Sequence, residues 1–136
     1  MIDPMKVSLI EIVKTITSGD RRKDYGRPLI NHVRIALKWA RRIRERIERG
    51  LPPITPSVVV ELMLDLKEAR QVNTPKFDNL VDTMGYVVCL DDMARQLVER
   101  TEATTYEEAL VRLNEMTEDE MMLLQLDLER EILAAS

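Results

Sequence analysis

Asp65-Leu66-Lys67-Glu68-Ala69-Arg70-Gln71-Val72-Asn73-Thr74-Pro75-Lys76-Phe77-Asp78-Asn79-Leu80-Val81-Asp82-Thr83-Met84-Gly85-Tyr86 reads as the end of one helix, a sharp turn at Asn73-Thr74-Pro75, and the start of another. Thr74 offers an N-cap oxygen, and Pro75 suits the first helical position, where its missing N–H would lack a partner anyway. The stretch therefore predicts an antiparallel helical hairpin at the centre of the fold. From Leu80 to Leu90 the chain is almost wholly apolar, and Asp82 is the one charged residue of that run. A helix apolar nearly all round belongs inside a domain, so Asp82 is expected in the interior. A carboxylate there must be paired, hydrogen-bonded or bound to a metal.

The preceding helix supplies the candidate partners. On a wheel of 100° per residue Glu61, Asp65 and Glu68 share one face, while Val59, Met63 and Leu66 share the other. Arg70 continues the apolar stripe and Lys67 lies at its edge. In a hairpin that sets position 65 level with 82, Lys67 and Arg70 stand about 3 and 7.5 Å further along the axis. Two readings are open at this point: an ion pair that joins two helices, or a polar pocket for an anionic ligand.

The length of 136 residues suits one all-helical domain, residues 1–136, long enough to bury about two-thirds of its unfolded surface. The chain is rich in Leu, Met, Ala, Glu and Arg and has four glycines, a balance that favours helices. The expected architecture is all-α: a compact helical bundle of about five to six helices around the central antiparallel hairpin. The single cysteine, Cys89, excludes an internal disulfide and fits a reducing compartment. No run approaches 18 uncharged apolar residues, so no membrane span is expected, and the N-terminal run lacks a cleavage-site pattern. The expected location is the cytoplasm.

The net charge of −4 hides an asymmetry. Residues 21–49 carry eleven Lys/Arg against three acids, a net of +8, and residues 100–136 carry three arginines against ten acids, a net of −7. The basic half suits phosphates, or the acidic half of a neighbouring subunit. Aromatic residues are scarce there, which argues against nucleic acid as a partner, because single strands need stacking platforms.

A first helix is expected from about Met5 to Thr17, with Val7, Ile10, Val13 and Ile16 on one face, followed by a loop holding Tyr25-Gly26. A second should run from Leu29 to Arg49 with Val33, Ala36, Leu37, Ala40, Ile43 and Ile47 as its core stripe. Its arginine-rich end, 41–46, reads as a solvated face. Gly50-Leu51-Pro52-Pro53 breaks the chain, and Thr55-Pro56 restarts it with the device of Thr74-Pro75. Thr105 with Glu108 and Thr117 with Glu120 form capping-box patterns for two further helices. In the last of these, Met121, Leu124, Leu128 and Ile132 form an apolar stripe suited to the core or to a dimer seam.

The lone His32 and Cys89 lack the partners that zinc binding or thiol catalysis would need. Asp78 and Asp82, four apart on one side of a helix, suit Mg2+, which prefers carboxylate oxygens together with substrate phosphates.

The segments Ser18-Gly19-Asp20-Arg21, Asp24-Tyr25-Gly26 with Pro28, Asn31-His32, Arg34-Ile35-Ala36 with Trp39, Ile54-Thr55-Pro56, Lys67 with Arg70, and Asp78-Asn79 with Asp82 and Gly85-Tyr86 resemble a family of small phage and prophage proteins of unknown function. That family is distantly similar to the all-α nucleoside triphosphate pyrophosphatases, the MazG-like and dimeric dUTPase superfamily, which are magnesium-dependent helical oligomers acting on nucleotides. The Glu-Glu-x-x-Glu pattern of that superfamily is absent. Asp78 and Asp82 only partly echo its acidic positions, and Lys67 and Arg70 stand where acids would be expected. The resemblance implies a protein of nucleotide metabolism that binds a nucleotide or other phosphate-bearing small molecule near Tyr25, Asn31, His32, Lys67, Arg70, Lys76 and Tyr86. Hydrolysis would rest on Asp82 and Lys67, with Mg2+ on Asp78 and Asp82, in a homo-oligomer. The alternative is a non-catalytic interaction protein that binds a host protein or sequesters a signalling nucleotide.

Overall fold

The computed structural model describes Ser8, Ile10, Glu11 and residues 28–100 and 104–136. These form five helices and no strand: α1 (Pro28–Glu48), α2 (Pro56–Asn73), α3 (Phe77–Arg100), α4 (Tyr106–Glu115) and α5 (Glu118–Ala135). The protein is all-α, as its composition and capping signals imply. Most of the expected first helix, and the loop with Tyr25, lie outside the described residues. Among those residues no helix is long and apolar enough to cross a membrane.

Local chemistry sets the helix ends. After α1, Gly50 adopts φ 73°, its N–H donates to the Ile47 carbonyl and the Leu51 N–H to that of Arg46. This closes the helix by a Schellman motif, and the left-handed conformation is open to glycine at little cost. Thr55 caps α2 by accepting from the Val58 N–H, with Pro56 in the first position. Thr105 caps α4, and Thr117 with Glu120 forms a complete capping box on α5. The hairpin turn departs from expectation. Thr74 closes α2, donating its N–H to the Arg70 carbonyl, and α3 begins only at Phe77. Gln71 takes over the capping there, since its Oε1 accepts from the Lys76 N–H and from Asn79 Nδ2.

The middle element is α2, antiparallel to both neighbours: Asn73 meets Asn31, Glu68 meets Lys38, and Asp65 meets Arg42 on α1, while Gln71 meets Asn79 and Lys67 meets Asp82 on α3. α4 closes against α2 and α3. The apolar core lies between α3 and α4, where Ala94, Leu97, Ala109 and Leu113 are buried under Leu90, Met93, Tyr106 and Leu124. Val58, Thr55 and Met116 are also fully enclosed.

Several faces are turned the other way from the expectation. α1 presents its polar side to α2, burying Asn31, Ile35 and Arg46, while Val33, Leu37 and Ile47 of the expected core stripe are exposed. On α2 the acidic face points inward. Asp65 is buried, and Val59 of the supposed core stripe is half exposed. The cause is charge complementarity. Lys38 pairs with Glu68 at 3.0 Å, and Arg42 with Asp65 at 2.8 Å and Glu61 at 3.1 Å, so two amphipathic helices meet through their charged sides. The arginine-rich end of α1 is therefore a contact surface at Arg42 and Arg46 rather than a solvated face. Nor is the Leu80–Leu90 run enclosed: Leu80, Val81, Met84, Val87 and Val88 face outward, and Cys89 is exposed.

A polar latch ties α3 to α4. Tyr106 donates its hydroxyl to Asp91 at 2.6 Å, Arg95 donates to the other carboxylate oxygen at 2.9 Å, and its guanidinium stands 5.6 Å from the Tyr106 ring centroid. The Tyr106 hydrogen bond, with Arg95 adding to it, holds the Asp91 carboxyl below its usual range, and the same bond to Asp91 lifts the Tyr106 phenol above its own. A lowered carboxyl contributes stability that is lost as pH falls through its folded-state value. A raised phenol contributes stability that is lost as pH rises through its folded-state value. Tyr106→Phe is therefore expected to flatten stability against pH on both limbs, below about pH 4 and above about pH 10. Thermal melts of both proteins across that range check it; unchanged slopes would mean the latch is not closed in solution.

Candidate functional site

The hairpin brings most of the expected site residues to one end of the helical layer, where α2 finishes and α1 and α3 begin. Amide side chains hold this end together. Asn31, buried on α1, accepts from Asn73 Nδ2 at 3.0 Å, and Asn73 in turn accepts from Arg34 Nη1 at 3.3 Å. Asn79, buried on α3, donates to Gln71 and to the Thr74 carbonyl, and Thr83 donates to the Asn79 carbonyl at 2.7 Å. Asparagine and glutamine serve here because each carries both donors and an acceptor, so one side chain can satisfy two neighbours.

His32 is exposed on the first turn of α1, and its Nδ1 donates to the Pro28 carbonyl at 2.6 Å, which leaves Nε2 facing outward from that bond. Arg70 is half-buried near the end of α2, and Lys76 is exposed in the turn. One turn further along, Lys67 Nζ meets Asp82 Oδ2 at 2.8 Å. Tyr86, a turn beyond, is half-buried. Asp78 is exposed in the first turn of α3.

The interior placement expected for Asp82 is not observed. Its side chain is 49% exposed, against 12% for Lys67, so the pair lies at the edge of the α2–α3 seam with its acid half in water. The outward stripe of α3 is apolar too, which is why the sequence run resembles an enclosed helix. Half-exposed pairs of this kind are worth little. Asp82→Asn is expected to cost under about 1 kcal/mol in urea unfolding, because Lys67 can extend its amine to solvent. A severe loss would show that the pair is a structural strut.

A second polar cluster escaped the sequence reading. Arg42 donates through Nε and Nη2 to both oxygens of Asp65, at 3.0 and 2.8 Å, and through Nη1 to Glu61. The bond to Asp65, the largest influence, keeps the guanidinium above its ordinary range despite burial. Beside it, Trp39 donates to the Leu62 carbonyl at 3.0 Å. Arg46, also buried, binds the Pro52 carbonyl, Asn114 Oδ1 and the Asn114 carbonyl, tying the end of α1 to the end of α4. A signal was present: Asn31, Ile35, Arg42 and Arg46 lie on one side of the wheel, opposite the apolar stripe.

Among the described residues no cluster of three or more His, Cys, Asp and Glu side chains is gathered as a metal would require. Asp78 and Asp82 offer two carboxylates on one flank of α3, the second already engaged by Lys67.

Fold and site together define a small all-α protein built on a three-helix layer with a polar end. The chain belongs to the family described as a domain of unknown function (DUF6378), whose model matches residues 8–94, the span of α1, α2 and most of α3. It is 35% identical over 88 residues to the Gene 55 protein of Mycobacterium phage L5, a match covering 64% of this chain and 53% of the phage protein. The match therefore spans about half of that relative's length. No solved structure matches the chain.

Proposed function

We propose that the protein binds a nucleotide or related phosphate compound at the end of the layer where α1 and α3 begin. The observation that carries the reading is the convergence there of two helix N-termini with Arg34, Lys67, Arg70 and Lys76, against the acids Asp78 and Asp82. Helix N-termini attract anions through their unpaired N–H groups and the aligned peptide dipoles, and the cations reinforce that field. His32 borders the same end, Tyr86 stands more than two turns along α3, and Tyr25, which belongs to the same reading, lies outside the described residues. The all-α hairpin agrees with the resemblance to the nucleoside triphosphate pyrophosphatases. Mg2+ would arrive with the phosphates and lean on Asp78 and Asp82, because two carboxylates leave a hard cation in need of further oxygens. Hydrolysis, if it accompanies binding, would depend on Asp82 and Lys67. The expected setting is the host cytoplasm.

A thermal-shift screen of nucleoside mono-, di- and triphosphates and pyrophosphate, with and without Mg2+, tests the proposal. At least one compound is expected to stabilise the protein, and Lys76→Glu should abolish the shift while circular dichroism shows the variant still helical. If phosphate or pyrophosphate is released as well, Asp82→Asn should stop the release and keep the fold. A second reading, a non-catalytic protein that binds a host partner, draws on the exposed apolar stripes of α1 and α3. It is favoured if no compound in the panel shifts the melt.

A further inference from the structure

We propose that the protein assembles with a second copy of itself by seating the outer stripe of α5 on the outer stripe of α1 of its neighbour. α1 spends its polar side on α2, so an apolar strip of Leu29, Val33, Leu37 and Ile47 runs down its solvent face, with Leu37 63% exposed. Contiguous exposed apolar surface of that length marks a contact surface.

The complementary element is α5. It buries no residue in its own chain. Its inner stripe leans on the core through Leu124, and Arg100 fastens it to Glu131 at 2.6 Å. A second stripe, Met122, Leu126 and Leu133, faces away and is exposed, Met122 by 57%. A helix with two apolar stripes and one partner is short of a partner.

Charge selects α1 as that partner. The exposed acids Glu118, Asp119 and Glu129 lie beside and on the stripe of α5, with Arg130 at one edge, and the exposed Arg41 and Arg44 lie beside and on that of α1, Arg44 standing 4.0 Å from Glu48. At 1.5 Å per residue the strip from Leu29 to Ile47 is about 27 Å long and that from Met122 to Leu133 about 17 Å, so the α5 stripe fits within the length of the α1 strip. Two copies exchanging α5 in this way make the contact twice across a two-fold axis, as closed dimers do. α5 lies outside the span matched by the family model, whereas α1 lies within it.

Cross-linking on a Cys89→Ser background, which removes the exposed native thiol, tests this directly. Ala40→Cys and Leu126→Cys are introduced in separate preparations, both at exposed positions. Mixing them under mild oxidation is expected to give a covalent one-to-one dimer, because the two thiols then lie across the α1–α5 seam. Sedimentation should show a dimer at micromolar concentration. Arg41→Glu with Arg44→Glu should raise its dissociation constant at least tenfold, and adding Glu118→Lys with Glu129→Lys should restore it, circular dichroism confirming that each variant stays helical. A monomer at these concentrations, a dimer that never links positions 40 and 126, or one indifferent to the charge reversals would overturn the proposal.

Discussion

Replacing Arg42 by alanine is expected to destabilise the protein by about 3 kcal/mol, because it strands a carboxylate that the fold has taken out of water. The Asp65 side chain is 8% exposed and gives both its oxygens to the Arg42 fork. Removing one member of a buried pair costs roughly 3–5 kcal/mol. The low end applies here because a third of Arg42 remains in solvent, which screens the pair and lets water reach the vacated site. The account makes a sharper claim about the double replacement. Arg42→Met with Asp65→Leu removes both desolvated charges together, and should recover most of the loss. Urea unfolding of the three proteins checks it. If the double variant is no better than the single one, the pair is held for a reason other than its own desolvation.

Arg46→Met should cost about 2–4 kcal/mol through a different cause. The methionine retains the apolar stem but withdraws donors from the Pro52 carbonyl and from both oxygens of Asn114, part-buried acceptors for which the cost of a lost partner, about 1–3 kcal/mol each when buried, is reduced by water. Arg46 also spans 68 residues of sequence to reach Asn114, so its loss frees the end of α1 from the α4–α5 junction. Chemical denaturation gives the magnitude, and faster hydrogen exchange at 46–52 and 113–117 should accompany it. A loss below about 0.5 kcal/mol would mean that water replaces the guanidinium at these carbonyls.

These two arginines mark where the sequence was legible and where it was not. Helix boundaries were, because they depend on neighbours in sequence: Thr55-Pro56, Gly50 and the Thr117–Glu120 box act within one turn. The hairpin followed from the same local chemistry, although its cap came from Gln71 on the other helix rather than from Thr74. Which side of each helix faces inward was not legible. Hydrophobicity assigned the apolar stripe of α1 to the core, yet ion pairs with residues 19 to 30 positions away draw the opposite face onto α2. Asp82 was misplaced for a related reason, since α3 is apolar both toward its neighbours and away from them. For the candidate site, proximity was legible and environment was not. His32, Lys67, Arg70 and Lys76 do gather near the hairpin turn, but Asn31 is committed to Asn73 and Lys67 to Asp82. The helix ends that focus positive potential come from topology, which a wheel does not show.

Location of binding is the most direct test of the functional reading. Titrating the isotope-labelled protein with a nucleoside triphosphate and Mg2+, while following its backbone amide resonances, reports where the ligand sits. The account expects the largest changes at residues 28–34 and 70–79, with Lys67 and Asp82 at the margin. Changes confined to α4 and α5, or none at millimolar nucleotide, would contradict it.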